Sequence, residues 1–292
     1  MDEELRMKLA DLGSPEALAA CIVSHFPDIE VPIQLPCIAE AVGIVQIIGQ
    51  QTGSFEGVLV TDSAKSTGSI AYNDGSRPER RRFTIAHELG HFLMPLHGTS
   101  AQCAKADMGL LAAKDSTGAR EAEANWFAAA LLMPRERFLR DMRGLGDPEI
   151  GHIVKLAGDY EVSKQAAARR YTSLCDDPCA VIFSQYGTAR QLYKTDDFPF
   201  VSVVKDQPLP RQCVSAQGRH QPGQVSDCSE VTPEFWLGDA RRLRGSALYE
   251  QYLDQANGYR MTMLTMDRAI ADDDDSDEDE ELRESWTPRF NR

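Results

Sequence analysis

Arg82-Phe83-Thr84-Ile85-Ala86-His87-Glu88-Leu89-Gly90-His91-Phe92-Leu93-Met94 decides the reading of this chain. His87 and His91 stand four residues apart, which on an α-helix puts both imidazoles on one face, one turn apart and within reach of one metal ion. Glu88 follows the first histidine and projects to the side of the pair, where it can reach a water activated by that ion without being a ligand. This is the H-E-x-x-H arrangement of zinc peptidase helices. Apolar flanks separate it from two ordinary surface histidines: Phe83, Ala86, Gly90 and Leu93 recur at helical spacing and predict a buried face. Gly90 costs about 1 kcal/mol of helix propensity, so its presence predicts that another element packs closely against it.

Catalytic zinc takes three protein ligands and keeps the fourth position for water. The next helical stretch, Glu121-Ala-Glu123-Ala-Asn125-Trp-Phe-Ala-Ala-Ala-Leu-Leu-Met-Pro134, supplies two carboxylates. Glu121 and Glu123 lie about 200° apart around a helix, so both cannot face one ion. Glu121 shares a stripe with Ala124, Asn125, Ala128 and Leu131, and small residues there let this helix approach the histidine helix. The stripe favours Glu121 as ligand over Glu123. Asn125, one turn on, is placed to orient a ligand histidine.

The stretches 81–91 and 121–134, with the strand Ile70-Ala-Tyr-Asn73 upstream, closely resemble the ImmA/IrrE family of metallopeptidases over about residues 30–175. The resemblance implies a gluzincin-like domain with helix-turn-helix-like helices behind it. It assigns one zinc to His87, His91 and Glu121, and the catalytic base to Glu88. It also implies a protein substrate, a helix-turn-helix transcriptional repressor whose cleavage releases stress-response or mobile-element genes. The rival function is a zinc-containing regulator that docks a repressor or DNA without proteolysis.

The chemistry needs more than an ion and a base. A tetrahedral oxyanion calls for a further donor, and Tyr72, His97 and Tyr171 are the candidates. Zincins hold substrate as an added strand on a sheet edge, and Ser69–Asn73 is the candidate edge.

Around this centre the pattern predicts an α+β fold: a small zincin-like sheet packed on helices, the metal lying between helices at 78–94 and 119–133. Leu5–Phe26 has helical spacing, with Ser14-Pro15-Glu16 as a start signal. Pro36–Val42 closes at Gly43, and Ile44–Ile48 reads as a strand. We divide the chain into a metallopeptidase domain (1–175) that includes helix-turn-helix-like helices at 149–174, a mixed β and helical region (176–268), and an acidic disordered tail (269–292). Within 176–268 the predicted strands are 180–183, 190–193 and 201–204, with helical spacing over Phe235–Tyr252.

The net charge is −14, and the run Asp272–Glu284 alone carries −9 of it. That balance argues against direct DNA binding by the surface at large, which needs clustered Lys and Arg. Two basic groups stand out: Lys164, Gln165, Arg169 and Arg170 on a helix that Ser163 would cap, and Arg77, Arg80, Arg81 and Arg82 before the histidines. Both read more simply as packing or solvated faces than as docking surfaces. Hydrophobic residues make up 42%, enough for a core. The seven cysteines form no paired framework, and no apolar run approaches the ~20 residues of a membrane span. With no signal peptide evident, the expected location is cytoplasmic.

Overall fold

In the computed structural model the helical spacing over Leu5–Phe26 resolves into two helices, α1 (Glu3–Ala10) and α2 (Pro15–His25). The break falls where Gly13 precedes a capping serine: the Ser14 side chain accepts a hydrogen bond from the Ala17 amide at 3.1 Å, and Pro15 opens the first turn. The structure describes residues 2–98, 100–103, 116–219, 221–238 and 247–266. The acidic tail and residues 104–115 lie outside these residues. The chain divides into two compact units, Met1–Asp141 with Leu156–Ala166, and Met142–Lys155 with Ala167–Arg292.

The first unit is a mixed sheet with helices. Helix α3 (Leu35–Val42) ends at Gly43, whose φ of 109° is the left-handed geometry that glycine accepts without cost. Strands β1 (Ile44–Gln50), β2 (Gly57–Thr61), β3 (Gly68–Asn73) and β4 (Ser100–Cys103) are ordered β1-β3-β2-β4. The β1–β3 pair is parallel and the others are antiparallel. Strand β3 is therefore central, and the expectation that Ser69–Asn73 forms a substrate-binding edge is wrong. Its alternating pattern does not reveal that β1 crosses over to pair on its far side. The edges are β1 and β4.

Helix α4 (Pro78–Leu93) carries the histidines. From Ala86 to Phe92 every residue is buried, because α4 packs against β2, β3, α3 and α5 (Ser116–Leu132). The predicted close approach is real. A Cβ on Gly90 would stand 3.0 Å from Phe127 Cδ1 and 3.2 Å from the Ala124 Cα of α5. Helix α6 (Arg135–Arg143) follows Pro134.

Helices α7 (Ile150–Asp159) and α8 (Lys164–Leu174) each give residues to both units. Ser163 caps α8 as predicted, its hydroxyl accepting from the Ala166 amide at 3.1 Å.

The second unit is built on an antiparallel sheet ordered β6-β5-β9-β8-β7. Its strands are β5 (Cys179–Gln185), β6 (Thr188–Lys194), β7 (Ser229–Val231), β8 (Leu248–Asp254) and β9 (Tyr259–Met266). Tyr186 and Gly187, both at positive φ, make the two-residue turn joining β5 to β6. Two expectations fail here. The predicted strand 201–204 makes one isolated bridge, Val201 to Leu237. The helical spacing over Phe235–Tyr252 is a single 3-10 turn at Pro233–Phe235 and then strand β8, residues 239–246 lying outside the described set. In β8 the buried residues Leu248, Glu250 and Tyr252 alternate, the period of a strand.

Candidate metal centre

Three donor atoms converge between α4 and α5. The Nε2 atoms of His87 and His91 are 3.0 Å apart. Glu121 brings one carboxylate oxygen to 3.2 Å from His87 Nε2 and the other to 3.3 Å from His91 Nε2. A tetrahedral ion with ligand bonds of about 2.0–2.1 Å sets neighbouring ligands roughly 3.3–3.4 Å apart. The spacing and chemistry of the donor set, two imidazoles and a carboxylate, fit a divalent ion. Among the described residues this is the group of His, Cys, Asp and Glu that could hold one.

The electrostatics agree. Burial lowers the pKa of His91, the neighbouring His87 adding to the effect against the pull of Glu121, and this favours the neutral ring that a metal ligand needs. Burial pushes the Glu121 carboxyl up, but hydrogen bonds to both imidazoles prevail and bring its pKa down to about 2.

The helix pair sets this geometry. Ala124, Asn125, Ala128 and Leu131 on the facing stripe of α5 are wholly buried, and the glycine in α4 lets the backbones meet. Gly90→Val is expected to force the helices apart, with an overpacking cost of about 1–3 kcal/mol and weaker zinc binding. Thermal unfolding and a zinc titration check both effects.

The remaining candidates take other places. Glu123, on the opposite side of α5, meets His97 rather than the three donors: its Oε2 is 2.9 Å from His97 Nε2. His97 in turn places Nδ1 2.8 Å from His91 Nδ1. It gets there because Pro95 stops α4 and a tight turn, closed by the His97 amide donating to the Met94 carbonyl, folds the chain back. Tyr171 lies in the second unit, its hydroxyl 3.2 Å from His152 Nδ1. Tyr72 sits in β3, its ring over Gly49 of β1. Three of the four arginines before the histidines have intramolecular partners. Arg81 pairs with Asp74 at 2.8 Å, Arg82 with Glu161 at 3.4 Å, and Arg80 approaches Glu56 at 3.6 Å.

Two supporting residues carry no sequence signal. Lys65, in the β2–β3 connection, donates to the carbonyls of His91 and Met94, each at 2.7 Å. It satisfies acceptors that the end of α4 leaves over. Gly57 of β2 lies against Glu88. A Cβ there would stand 2.2 Å from Glu88 Oε1 and 2.7 Å from Thr84 Cγ2, so the strand can pass over the buried carboxylate only as glycine.

An H-E-x-x-H helix whose imidazoles meet a glutamate from a following helix, beneath a small mixed sheet, gives a His-His-Glu group that could hold a metal ion. Residues 39–172 match the peptidase M78 family model, described as an IrrE N-terminal-like domain. Among solved structures, a Mycobacterium tuberculosis transcriptional regulator shares the fold with a TM-score of 0.54 at 16% identity. The match covers 92% of this chain and 82% of that one. No curated protein matches the sequence. No helix among the described residues is long and apolar enough to cross a membrane.

Proposed function

We propose that the protein is a cytoplasmic zinc endopeptidase of regulatory type, and that its substrate is a helix-turn-helix transcriptional repressor. The observation that carries the reading is the meeting of His87, His91 and Glu121 at one point, with Glu88 buried on the same helix. His87, His91 and Glu121 would hold the ion. A zinc ion there supplies a water of lowered pKa, toward ~7, and polarises the scissile carbonyl. Glu88 takes the proton from the attacking water and delivers it to the leaving amine. The repressor assignment rests on the family resemblance and on the regulator named among the structural neighbours.

Docking of a repressor without cleavage is the rival, and the same regulatory neighbour favours it. Glu88→Gln separates the two. The expected result is about one zinc per chain by mass spectrometry in wild type and in Glu88→Gln, and loss of zinc in Glu121→Gln. Cleavage of a purified repressor should fall roughly 10²- to 10⁴-fold in Glu88→Gln. Regulation that survives Glu88→Gln with zinc retained would leave docking as the function. Affinity alone does not select zinc among divalent ions, so the metal is identified on protein purified without added metal.

A further inference from the structure

We propose that Cys175 and Cys179 form a thiol pair responsive to hydrogen peroxide, in which Cys175 is oxidised first and Cys179 closes a disulfide on it. Both residues lie in the second unit, and the inference depends neither on the metal centre nor on the peptidase reading.

The contacts single out Cys175 as the sulfur that carries charge. Three donors among the described residues meet it: the thiol of Cys179, the hydroxyl of Tyr171 and the backbone amide of Asp177. The backbone is folded to bring them together. The Cys175 amide donates to the Tyr171 carbonyl at 2.8 Å and continues the last turn of α8. After Asp176, Asp177 and Pro178 the chain enters β5 at Cys179. There the Cys179 amide donates to Thr195 Oγ1 at 3.2 Å, and its carbonyl accepts from the Thr195 amide at 3.0 Å. These anchors hold the two thiols in hydrogen-bond contact. The bonds from Cys179 and Asp177 bring the Cys175 pKa below the ordinary thiol value, against burial and the Asp176 and Asp177 carboxylates. The same contact, together with burial, keeps Cys179 protonated. Burial also keeps the Tyr171 hydroxyl protonated and therefore a donor.

Exposure divides the roles. Cys175 is half-buried and lines an open cleft with Arg169, Tyr193 and Lys194, so a peroxide molecule can reach it. Cys179 has no exposed surface and reacts only with a group that Cys175 presents. The Cys175 thiolate attacks one oxygen of hydrogen peroxide; the O–O bond breaks, hydroxide leaves, and Cys175 becomes a sulfenic acid. The Cys179 sulfur then attacks the Cys175 sulfur, so that the S–S bond forms and the S–O bond breaks. The departing hydroxide takes the Cys179 proton and leaves as water. Over both steps the two thiols give up two electrons and two protons, and the peroxide becomes two molecules of water. A thiol reductant reverses the change. The sulfurs must close to about 2.05 Å, a short approach for atoms already in hydrogen-bond contact. Cys37 and Cys228 are more exposed, so exposure alone would make them react first. The donors around Cys175 reverse that order.

The test uses the full-length protein, reduced with a phosphine, desalted and titrated with hydrogen peroxide. No Lys or Arg lies between Arg170 and Arg190, so trypsin releases both cysteines on one peptide, 171–190. That peptide is expected to become lighter by two hydrogens and to regain its mass on reduction. Differential alkylation should show Cys175 consumed about tenfold faster than Cys37 and Cys228. In Cys179→Ala, dimedone should trap a sulfenic acid at Cys175. In Cys175→Ser, Cys179 should stay reduced. Tyr171→Phe, which removes one donor, should slow oxidation of Cys175 several-fold and leave the rate at Cys37 unchanged. The wild-type titration needs no substitution, so a misfolded variant cannot hide the result. Oxidation of Cys37 or Cys228 ahead of Cys175 overturns the proposal, and so does a peptide whose mass is unchanged once those two have reacted. Zinc plays no part in these readouts, so failure of the metal reading leaves the test intact.

Discussion

Gly57→Ala is expected to reduce peptide cleavage by about 10²-fold or more while zinc content stays near one per chain. Strand β2 runs over Glu88 so closely that an added methyl would sit 2.2 Å from one carboxylate oxygen. A glutamate on an exposed helix could swing away at little cost. This one is wholly buried, and the Thr84 methyl, 2.7 Å from the same point, is tied closely to the backbone of α4. The new methyl must therefore push Glu88 off its position or lift β2. The strand is held on both sides, Gly57 pairing with Tyr72 of β3 and Cys103 of β4, so the side chain is the softer element. The three proposed ligands point elsewhere and should keep their ion. Glycine weakens a strand interior and alanine by itself would not, so strand propensity gives no reason for a loss. Cleavage kinetics beside metal analysis separate the outcomes. A variant with full activity would mean that Glu88 works from a different position, or that it is not the base. A variant without zinc would mean that the strand, and not only the side chain, had moved.

The division between what was legible in the sequence and what was not follows the distance over which the physics acts. His87 and His91 share a face because of helix periodicity, and Glu121 rather than Glu123 turns toward them for the same reason. Gly90 gave away the close approach of α5 because glycine in a helix interior is unfavourable without a packing reason. Ser14, Gly43 and Ser163 act within one turn of themselves and were equally readable. Gly57, Lys65 and His97 act through tertiary approach, and nothing local marks them. Gly57 reads as an ordinary strand start, and His97 could equally have served as an oxyanion donor. The same limit explains the two errors of sheet reading. The β1–β3 pairing is parallel and skips β2, so the alternation in 69–73 did not reveal a strand covered on both edges. In the second unit, β8 and β9 join partners from distant parts of the chain, and the buried polar residue in β8 broke the apolar pattern that would have marked a strand. That residue, Glu250, is where the second unit concentrates its polar interactions.

Glu250→Met should destabilise the second unit by about 3–6 kcal/mol, a large share of the roughly 5–15 kcal/mol that holds a typical domain. Glu250 has no exposed surface, and its carboxylate accepts three hydrogen bonds. The Ser215 amide donates to Oε1 at 2.6 Å, and the Val214 amide and the Trp236 indole donate to Oε2 at 3.1 and 2.9 Å. The two amides open the short helix α9 (Val214–Gln217). One side chain on β8 thus ties down α9 and the segment that carries Trp236, itself wholly buried in the core with Phe198, Leu248 and Leu264. Methionine fills nearly the same volume, so little cavity forms and the loss comes from three stranded donors at about 1–3 kcal/mol each, partly relieved by local rearrangement. Glu250→Gln should fall between: its amide oxygen can serve two donors, while its NH2 group faces the third. Denaturant unfolding followed by Trp236 fluorescence would rank wild type above glutamine and glutamine above methionine. Equal stability of wild type and the methionine variant would show that α9 and the Trp236 segment are held by apolar packing alone. If instead the order holds and zinc content of the methionine variant stays normal, the polar anchor of the sheet acts on its own unit and not on the metal centre.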